Sequence, residues 1–536
     1  MIQQGNFQLF NEINNALIDR HSEVAMYYFG RKIIFKKLLT EINSWADILK
    51  NKFHINKGDV VTMNLPNIPN AIVLFYAINK CGAIANIIHP LNPINIITTT
   101  ISNTCSKLLI TLDNYFDSNR NIIEDLDVPV IVCRVSDYLP NLKRKYYSRR
   151  EQNIEECYLY TSILRNWGKV TIQDSAQNNI AVYLHSTGTT GEAKTVALSN
   201  KAISELKDAL SNGVINDMNP YKNKSIMVLP LFHGFGLGVC MHAMLSNGFE
   251  IILMPKFEIH QFANLIAKRK VTICAGVPTM FSKLLKLSEK DFSKLKSLEN
   301  IFVGGEKLDQ NLKLEFNKRL SRIGSTAELI EGYGLTETVT VCCVNKKGGS
   351  DITAVGQPLY GIKVKIIDDN CKSLNKEEIG EICIGGPTLM EGYLNDDNQN
   401  AFLTISGEKF IKTGDIGYLD ESGTLHFIDR KKRIFKINGV TIFPSEMEKT
   451  IKSASEKIEN CMVSYIKNNI VVFIQSQETT NTNLKKTIID FCKLNLIKYA
   501  VPLEENICIY EKFPKNDVGK IDIKTMKENY CNEIGV

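Results

Sequence analysis

Tryptophan is nearly missing, with two in 536 residues, and neither charge sign dominates: 64 Lys and Arg stand against 58 Asp and Glu, a net charge of +6. A pI near 8.5 falls short of the strongly basic balance of a nucleic-acid-binding domain, so no nucleic acid partner is expected. Long apolar runs are lacking too. The longest candidate, residues 71–78, ends at Asn79-Lys80 and is too short to span a bilayer, which excludes a transmembrane segment. The N-terminus has no basic stretch followed by an apolar one, so no secretory signal is read there. The 14 cysteines include no CxxC and no Cys/His spacing of the zinc type. They read as reduced thiols, and a cytoplasmic protein is expected.

What is present is an ordinary globular composition, 44% hydrophobic and 23% charged, in a chain longer than one core usually serves. At least two domains are expected. Short β-branched runs alternate with helical patterns through "DVVTMNL" (59–65), a helix near 69–80, "AIANII" (83–88), "KLLITL" (107–112) and "VPVIVC" (128–133). The rhythm resumes at "SIMVLP" (225–230), "EIILM" (250–254), "VTICAG" (271–276) and "NIFVGG" (300–305). Strand then helix, repeated, is the mark of parallel α/β structure. From about Gly356 short strands broken by turn residues suggest antiparallel β-structure, and the charged stretch 429–433 precedes about a hundred residues reading β-α-β-β-α. The basic run "KRKYYSRR" (143–150) reads as a solvated loop.

One stretch carries unusual chemistry: "HSTGTTGEAK" (185–194) follows the apolar run "IAVYL". Small and hydroxyl residues after a strand can turn several backbone N–H groups toward an anion, and Lys194 adds a mobile positive charge. A polyphosphate suits such a cradle. The spacing is wrong for a Walker A loop, because Lys194 lies three positions past Gly191 and Ser186 stands where the first glycine belongs.

With this stretch the sequence resembles the adenylate-forming superfamily of acyl-CoA synthetases, carrier-linked adenylation domains and firefly-type luciferases. Its phosphate loop is commonly Ser/Thr-Ser-Gly-Thr-Thr-Gly-x-Pro-Lys-Gly; here Ala193 replaces Pro and Thr195 replaces Gly. Collinear matches follow at "VLPLFHGFGLG" (228–238), "GVPTM" (276–280), "VGGEKL" (303–308), "EGYGLTET" (331–338), "VGQP" (355–358), "GEICIGG" (380–386) and "KTGDIGYLDESGTLHFIDR" (412–430). The last two are "KINGVTIFPSEME" (436–448) and "PKNDVGKID" (514–522). So many matches in one order exclude coincidence, and the texture is most similar to bacterial fatty acyl-CoA synthetases.

The resemblance implies an α/β fold: a large N-terminal domain of two α/β lobes plus a β-subdomain (1–430), a hinge at 431–432 and a small mobile α+β C-terminal domain (433–536). It implies activation of a carboxylic acid by ATP to acyl-AMP with pyrophosphate release, then transfer to the thiol of coenzyme A. It also implies the roles of single residues. Ser186, Thr187, Gly188, Thr189, Thr190, Gly191 and Lys194 would clamp the β- and γ-phosphates. Gly305, Glu306, Glu331, Gly332 and Tyr333 would border adenine and the acyl group, Tyr333 laying its ring against the base. Thr336 would bond the α-phosphate, and Glu337 would hold Mg2+, a hard cation suited to a carboxylate oxygen. Asp415 would accept bonds from both ribose hydroxyls, with Arg430 nearby. His233 would border the acyl carboxylate, although a histidine in an apolar segment is more often a core residue.

Lys520 carries the sharpest implied role. Adenylation joins an anionic carboxylate to a negatively charged α-phosphate, and an ammonium bridging both lowers that barrier. Lys432 matches the hinge, and Lys436 and Gly439 the face that meets the thiol. A silent nucleotide-binding scaffold would have lost Glu337, Asp415 or Lys520, and all three are present. Residues 231–238 contain no Asp to pair with a substrate ammonium, so a fatty acid is expected first and an aryl acid second. No carrier-protein serine motif is present; the acceptor is free coenzyme A or, alternatively, a separate acyl carrier protein.

Overall fold

The computed structural model describes residues 8–16, 20–147, 154–155, 158–168, 179–186, 194–349, 351, 353–395, 398, 401–437, 440–478, 482–515 and 521–533. The chain divides into two compact units. One comprises Met1–Lys365, Cys383–Ile411 and Ser422–Leu425; the other comprises Ile366–Ile382, Lys412–Glu421 and His426–Val536.

The first unit contains the two expected α/β lobes. The seven-stranded sheet runs in the order Gly392–Tyr393, Lys194–Ser199, Ile180–Ser186, Ile84–Ile87, Val60–Met63, Ser106–Leu112, Val130–Cys133. Its five strands from Ile180–Ser186 onward are parallel, and the Lys194–Ser199 and Gly392–Tyr393 strands are antiparallel additions at one edge. Val60–Met63 and Ile84–Ile87 are buried throughout. That is why they read as mainly apolar runs, interrupted only by Thr62 and Asn86, rather than as alternating ones: a parallel sheet is covered on both faces. The helix Pro69–Lys80 opens on a proline, which the first helical turn tolerates, and all its residues are buried. A helix apolar all round can be stable only inside a core.

The nine-stranded sheet is built the same way. Lys224–Met227, Glu250–Leu253, Ile273–Gly276, Asn300–Val303 and Leu329–Gly334 lie parallel within it, and Val341–Val344 returns antiparallel beside Leu329–Gly334. Helices Ile259–Arg269, Pro278–Leu284 and Gln310–Arg322 cover one side through Phe262, Phe281 and Phe316, all fully buried. The expected β-rich segment supplies Lys363–Ile367, Gly380–Gly385, Phe402–Ile405, Glu408–Leu419 and Leu425–Arg430.

The second unit has its own core. Asn460–Ile466, Asn469–Gln475 and Ile507–Tyr510 form a three-stranded sheet. Along Asn469–Gln475 alternate side chains enter opposite clusters: Ile470, Val472 and Ile474 join Met447, Ile451 and Ile488, whereas Val471 and Phe473 join Phe513, Met526 and Tyr530. The period of two that defines a strand thus buries both faces. No helix among the described residues is long and apolar enough to cross a membrane, and no described cysteine is in a disulfide.

Candidate active site

Ser186 and Lys194 are register partners in the antiparallel pair Ile180–Ser186 and Lys194–Ser199, so the two ends of the expected phosphate loop lie side by side on adjacent strands. Thr187, Gly188, Thr189, Thr190 and Gly191 lie outside the described residues, as do Ala193, Gly439 and Lys520. Lys194 lies with its Nζ 4.5 Å from the centre of the Tyr393 ring. The Tyr393 hydroxyl in turn donates a 2.9 Å hydrogen bond to Oε1 of Glu337. One tyrosine therefore links the loop lysine to the expected metal ligand, residues far apart in sequence.

The backbone makes this meeting possible. Tyr393 pairs with Val196 across two antiparallel strands, and the Met390 N–H donates to the Glu337 carbonyl at 2.8 Å. Glu337 sits on the short 3-10 turn Thr336–Thr338, which ends at Val339 with φ +67°. A β-branched residue seldom adopts a positive φ, so this turn is held under strain by its surroundings. One surrounding element is the expected acyl segment: a Cβ on Gly234 would collide with the Val339 carbonyl oxygen, and one on Gly238 would lie 3.0 Å from Val339 Cγ1. Residues Phe235–Ala243 form a π-helix, a rare geometry that recurs at functional sites.

The residues expected beside adenine also converge. Gly304, before Gly305 at φ +82°, approaches the Gly332 carbonyl so closely that a Cβ would lie 2.9 Å from it. Glu331 is buried and accepts the Leu308 N–H at 3.3 Å; burial pushes its carboxyl up to about 7. Tyr333, Thr336, Glu337 and Glu306 are half-buried, a placement open to a ligand. His233 is exposed and not a core residue, its ring 4.6 Å from that of Phe232.

In the second unit, Asp415 is 3% exposed and Arg430 Nε lies 3.0 Å from its Oδ1, so the two residues expected near ribose are together. The Thr413 hydroxyl donates to the Ile382 carbonyl at 2.8 Å and accepts the Asp415 N–H at 3.0 Å, fixing the turn that presents the carboxylate. Lys432 is exposed on the 3-10 turn Lys431–Arg433, and Lys436 is exposed on the strand Phe435–Ile437. Around the hinge position, Arg433 pairs with Asp429 at 3.4 Å and with Glu448, while the Ser445 N–H donates to Asp429 Oδ2 at 2.8 Å.

Tyr393 is the residue that sequence reasoning missed. Its signal is slight: a Gly-Tyr pair in "MEGYLN" shortly after the run "GEICIGG", on a strand of two residues.

The AMP-binding enzyme family model matches residues 16–394. A long-chain-fatty-acid–CoA ligase of Bacillus subtilis (strain 168) is 28% identical over 519 residues, covering 93% of this chain and 90% of its own. A probable 4-coumarate–CoA ligase of Dictyostelium discoideum is 28% identical over 493 residues, with 89% and 87% covered. Among solved structures, ATP-bound MatB from Rhodopseudomonas palustris superposes with a TM-score of 0.83 at 22% identity, covering 98% of this chain and 99% of its own. The anthranilate CoA ligase AuaEII with anthranoyl-AMP does so with 0.83 at 21% identity, covering 99% and 98%. The chain belongs to the AMP-binding enzyme family of adenylate-forming enzymes, as an acid–thiol ligase that activates a carboxylic acid.

Proposed function

We propose that this enzyme activates a fatty acid with ATP and magnesium, releasing pyrophosphate, and transfers the acyl group to coenzyme A. The observation that carries the chemistry is the Lys194–Tyr393–Glu337 cluster, which sets a cation for phosphates beside a carboxylate of the type Mg2+ takes. When bound, the ion would screen the phosphate charge. Thr336 bonds the α-phosphate, Ser186 to Lys194 hold the phosphates that leave, and Asp415 with Arg430 holds ribose. His233 borders the acid. Domain boundaries at 1–430 and 433–536 about a hinge at 431–432, with Lys520 acting in the first half-reaction and Lys436 and Gly439 facing the thiol in the second, complete the reading. The compartment that suits it is the cytoplasm.

The acid is assigned from its surroundings. The segment Leu231–Gly238 carries no carboxylate for an α-ammonium, and its Gly234 and Gly238 press against Val339, two residues past Glu337. An apolar tail suits such a lining. An aryl acid is the second choice, supported by the 4-coumarate ligase relative, and a separate acyl carrier protein is the alternative acceptor. The test is pyrophosphate release over a panel of fatty, aryl and amino acids, then thioester formation with coenzyme A and with holo carrier protein. Fatty acids with coenzyme A are expected to be fastest; amino acids as the best substrates would overturn the reading of 231–238.

A further inference from the structure

Thr195, which stands where related phosphate loops carry glycine, begins a line of side-chain hydrogen bonds that crosses five adjacent strands of the seven-stranded sheet. Its hydroxyl lies 3.2 Å from His185 Nδ1, and His185 Nε2 lies 2.8 Å from Asn86 Oδ1. Asn86 Nδ2 donates to the Thr62 hydroxyl at 2.9 Å, Thr62 meets Ser106 at 2.6 Å, and Ser106 meets Thr104 at 2.8 Å. Thr104 closes the line by donating to the Thr100 carbonyl at 2.8 Å.

The donors have one consistent direction. Thr104 gives its proton to Thr100, so Ser106 donates to Thr104 and Thr62 to Ser106. The Asn86 amide nitrogen faces Thr62, so its oxygen accepts from His185 Nε2–H, leaving Nδ1 to accept from Thr195. His185 is therefore the neutral Nε2–H tautomer, in keeping with burial that pushes it down to about 4. Thr62 and Asn86 are 0% exposed, and buried polar groups in apolar strands are tolerable only when bonded. Bonds aligned head to tail also strengthen one another. Thr195 is thus tied sideways to the rigid centre of the sheet, one residue past Lys194.

We propose that His185 and Thr195 are positioning residues for the nucleotide: the ladder fixes the strand end that carries Lys194 and so sets that lysine on the β- and γ-phosphates of ATP. It rests on the nucleotide reading above, and it adds a cause for a residue that departs from the family pattern.

The test is calorimetric binding of magnesium-ATP and of AMP to the full chain, with no acid present. Thr195→Val, nearly isosteric, is expected to weaken ATP by about fivefold, the loss of one hydrogen bond, and to leave AMP unchanged because AMP lacks the phosphates concerned. Thr195→Ser, which restores the hydroxyl, is expected to bind ATP within about twofold of the parent. His185→Phe should weaken ATP at least as much as Thr195→Val, and the double variant no more than the worse single. Equal ATP affinity in Thr195→Val and the parent, or parallel losses for ATP and AMP, would overturn the proposal. A parent chain that binds AMP but not ATP would overturn the phosphate-loop reading beneath it. Melting temperatures of the two Thr195 variants near the parent's are expected, so the test stands even where His185→Phe fails to fold.

Discussion

The Tyr393 hydroxyl bonds Glu337 while its ring lies under Lys194. Two functions of one side chain can be separated by substitution. Tyr393→Phe keeps the ring and removes a hydrogen bond to a charged group, which is expected to reduce pyrophosphate release roughly tenfold or more and to raise the magnesium needed for half-maximal rate. Tyr393→Leu also removes the cation–π contact and should be slower again by about threefold. A magnesium titration of acid-dependent pyrophosphate release checks both. Parent-like magnesium dependence in Tyr393→Phe would remove Tyr393 from the site.

Gly234 and Val339 make a second linkage, between the acyl segment and the strained turn after Glu337. Gly234→Ala drives a methyl group into the Val339 carbonyl, and a backbone atom held by a strained turn has little room to yield. The expected loss of stability is on the order of 3 kcal/mol. Displacing the turn by even an ångström is expected to slow adenylation by about 100-fold, because the reacting groups depend on its placement. Urea denaturation and pyrophosphate release measured together check this; an alanine variant that keeps the parent's rate would show the turn to be independent of Gly234.

The lobes were legible because parallel strands buried on both faces leave a chemical trace, as in "VVTM" and "IANI", and because prolines, Pro66 and Pro90, mark the turns after them. The candidate site was legible as expectation where a motif is contiguous, as in Thr336 with Glu337, or where one short segment holds both ends, as in Ser186 and Lys194. What escaped needed register. Tyr393 sits on a two-residue edge strand with no periodicity to read, and only its pairing with Val196 brings it to Lys194. The π-helix at Phe235–Ala243 is apolar but for His242, so no helical period distinguishes its winding. The ladder from Thr195 to Thr104 joins residues from strands whose order in the sheet differs from their order in the chain.

Glu331 predicts a pH dependence of stability. Its carboxyl is raised from an ordinary 4.5 to about 7, chiefly by burial. Between those values the folded chain holds a proton that the unfolded chain has released, so this group's contribution falls as pH rises from about 4.5 to about 7 and is level above that. Glu331→Gln keeps an oxygen for the Leu308 N–H and removes the titration. The variant should match the parent near pH 4.5 and exceed it at pH 8, by up to about 3 kcal/mol. Urea midpoints at the two pH values decide it: a constant difference between variant and parent would mean that Glu331 does not titrate in this window.

The roles proposed for Lys520 and Lys432 separate the two half-reactions. Forming acyl-AMP requires positive charge between carboxylate and α-phosphate, whereas thiol attack on a finished acyl-AMP expels a good leaving group and needs access instead. Lys520→Ala is therefore expected to lose acid-dependent pyrophosphate release by at least about 100-fold and to retain most thioester formation from supplied acyl-AMP. Lys432→Pro should do the reverse: proline fixes the backbone torsion at the proposed hinge, so adenylation persists while transfer to coenzyme A slows. The measurement is each half-reaction alone, pyrophosphate release without thiol and thioester release from acyl-AMP without ATP. Equal loss of both half-reactions in Lys520→Ala would reject the division of labour. Full transfer by Lys432→Pro would place the pivot elsewhere.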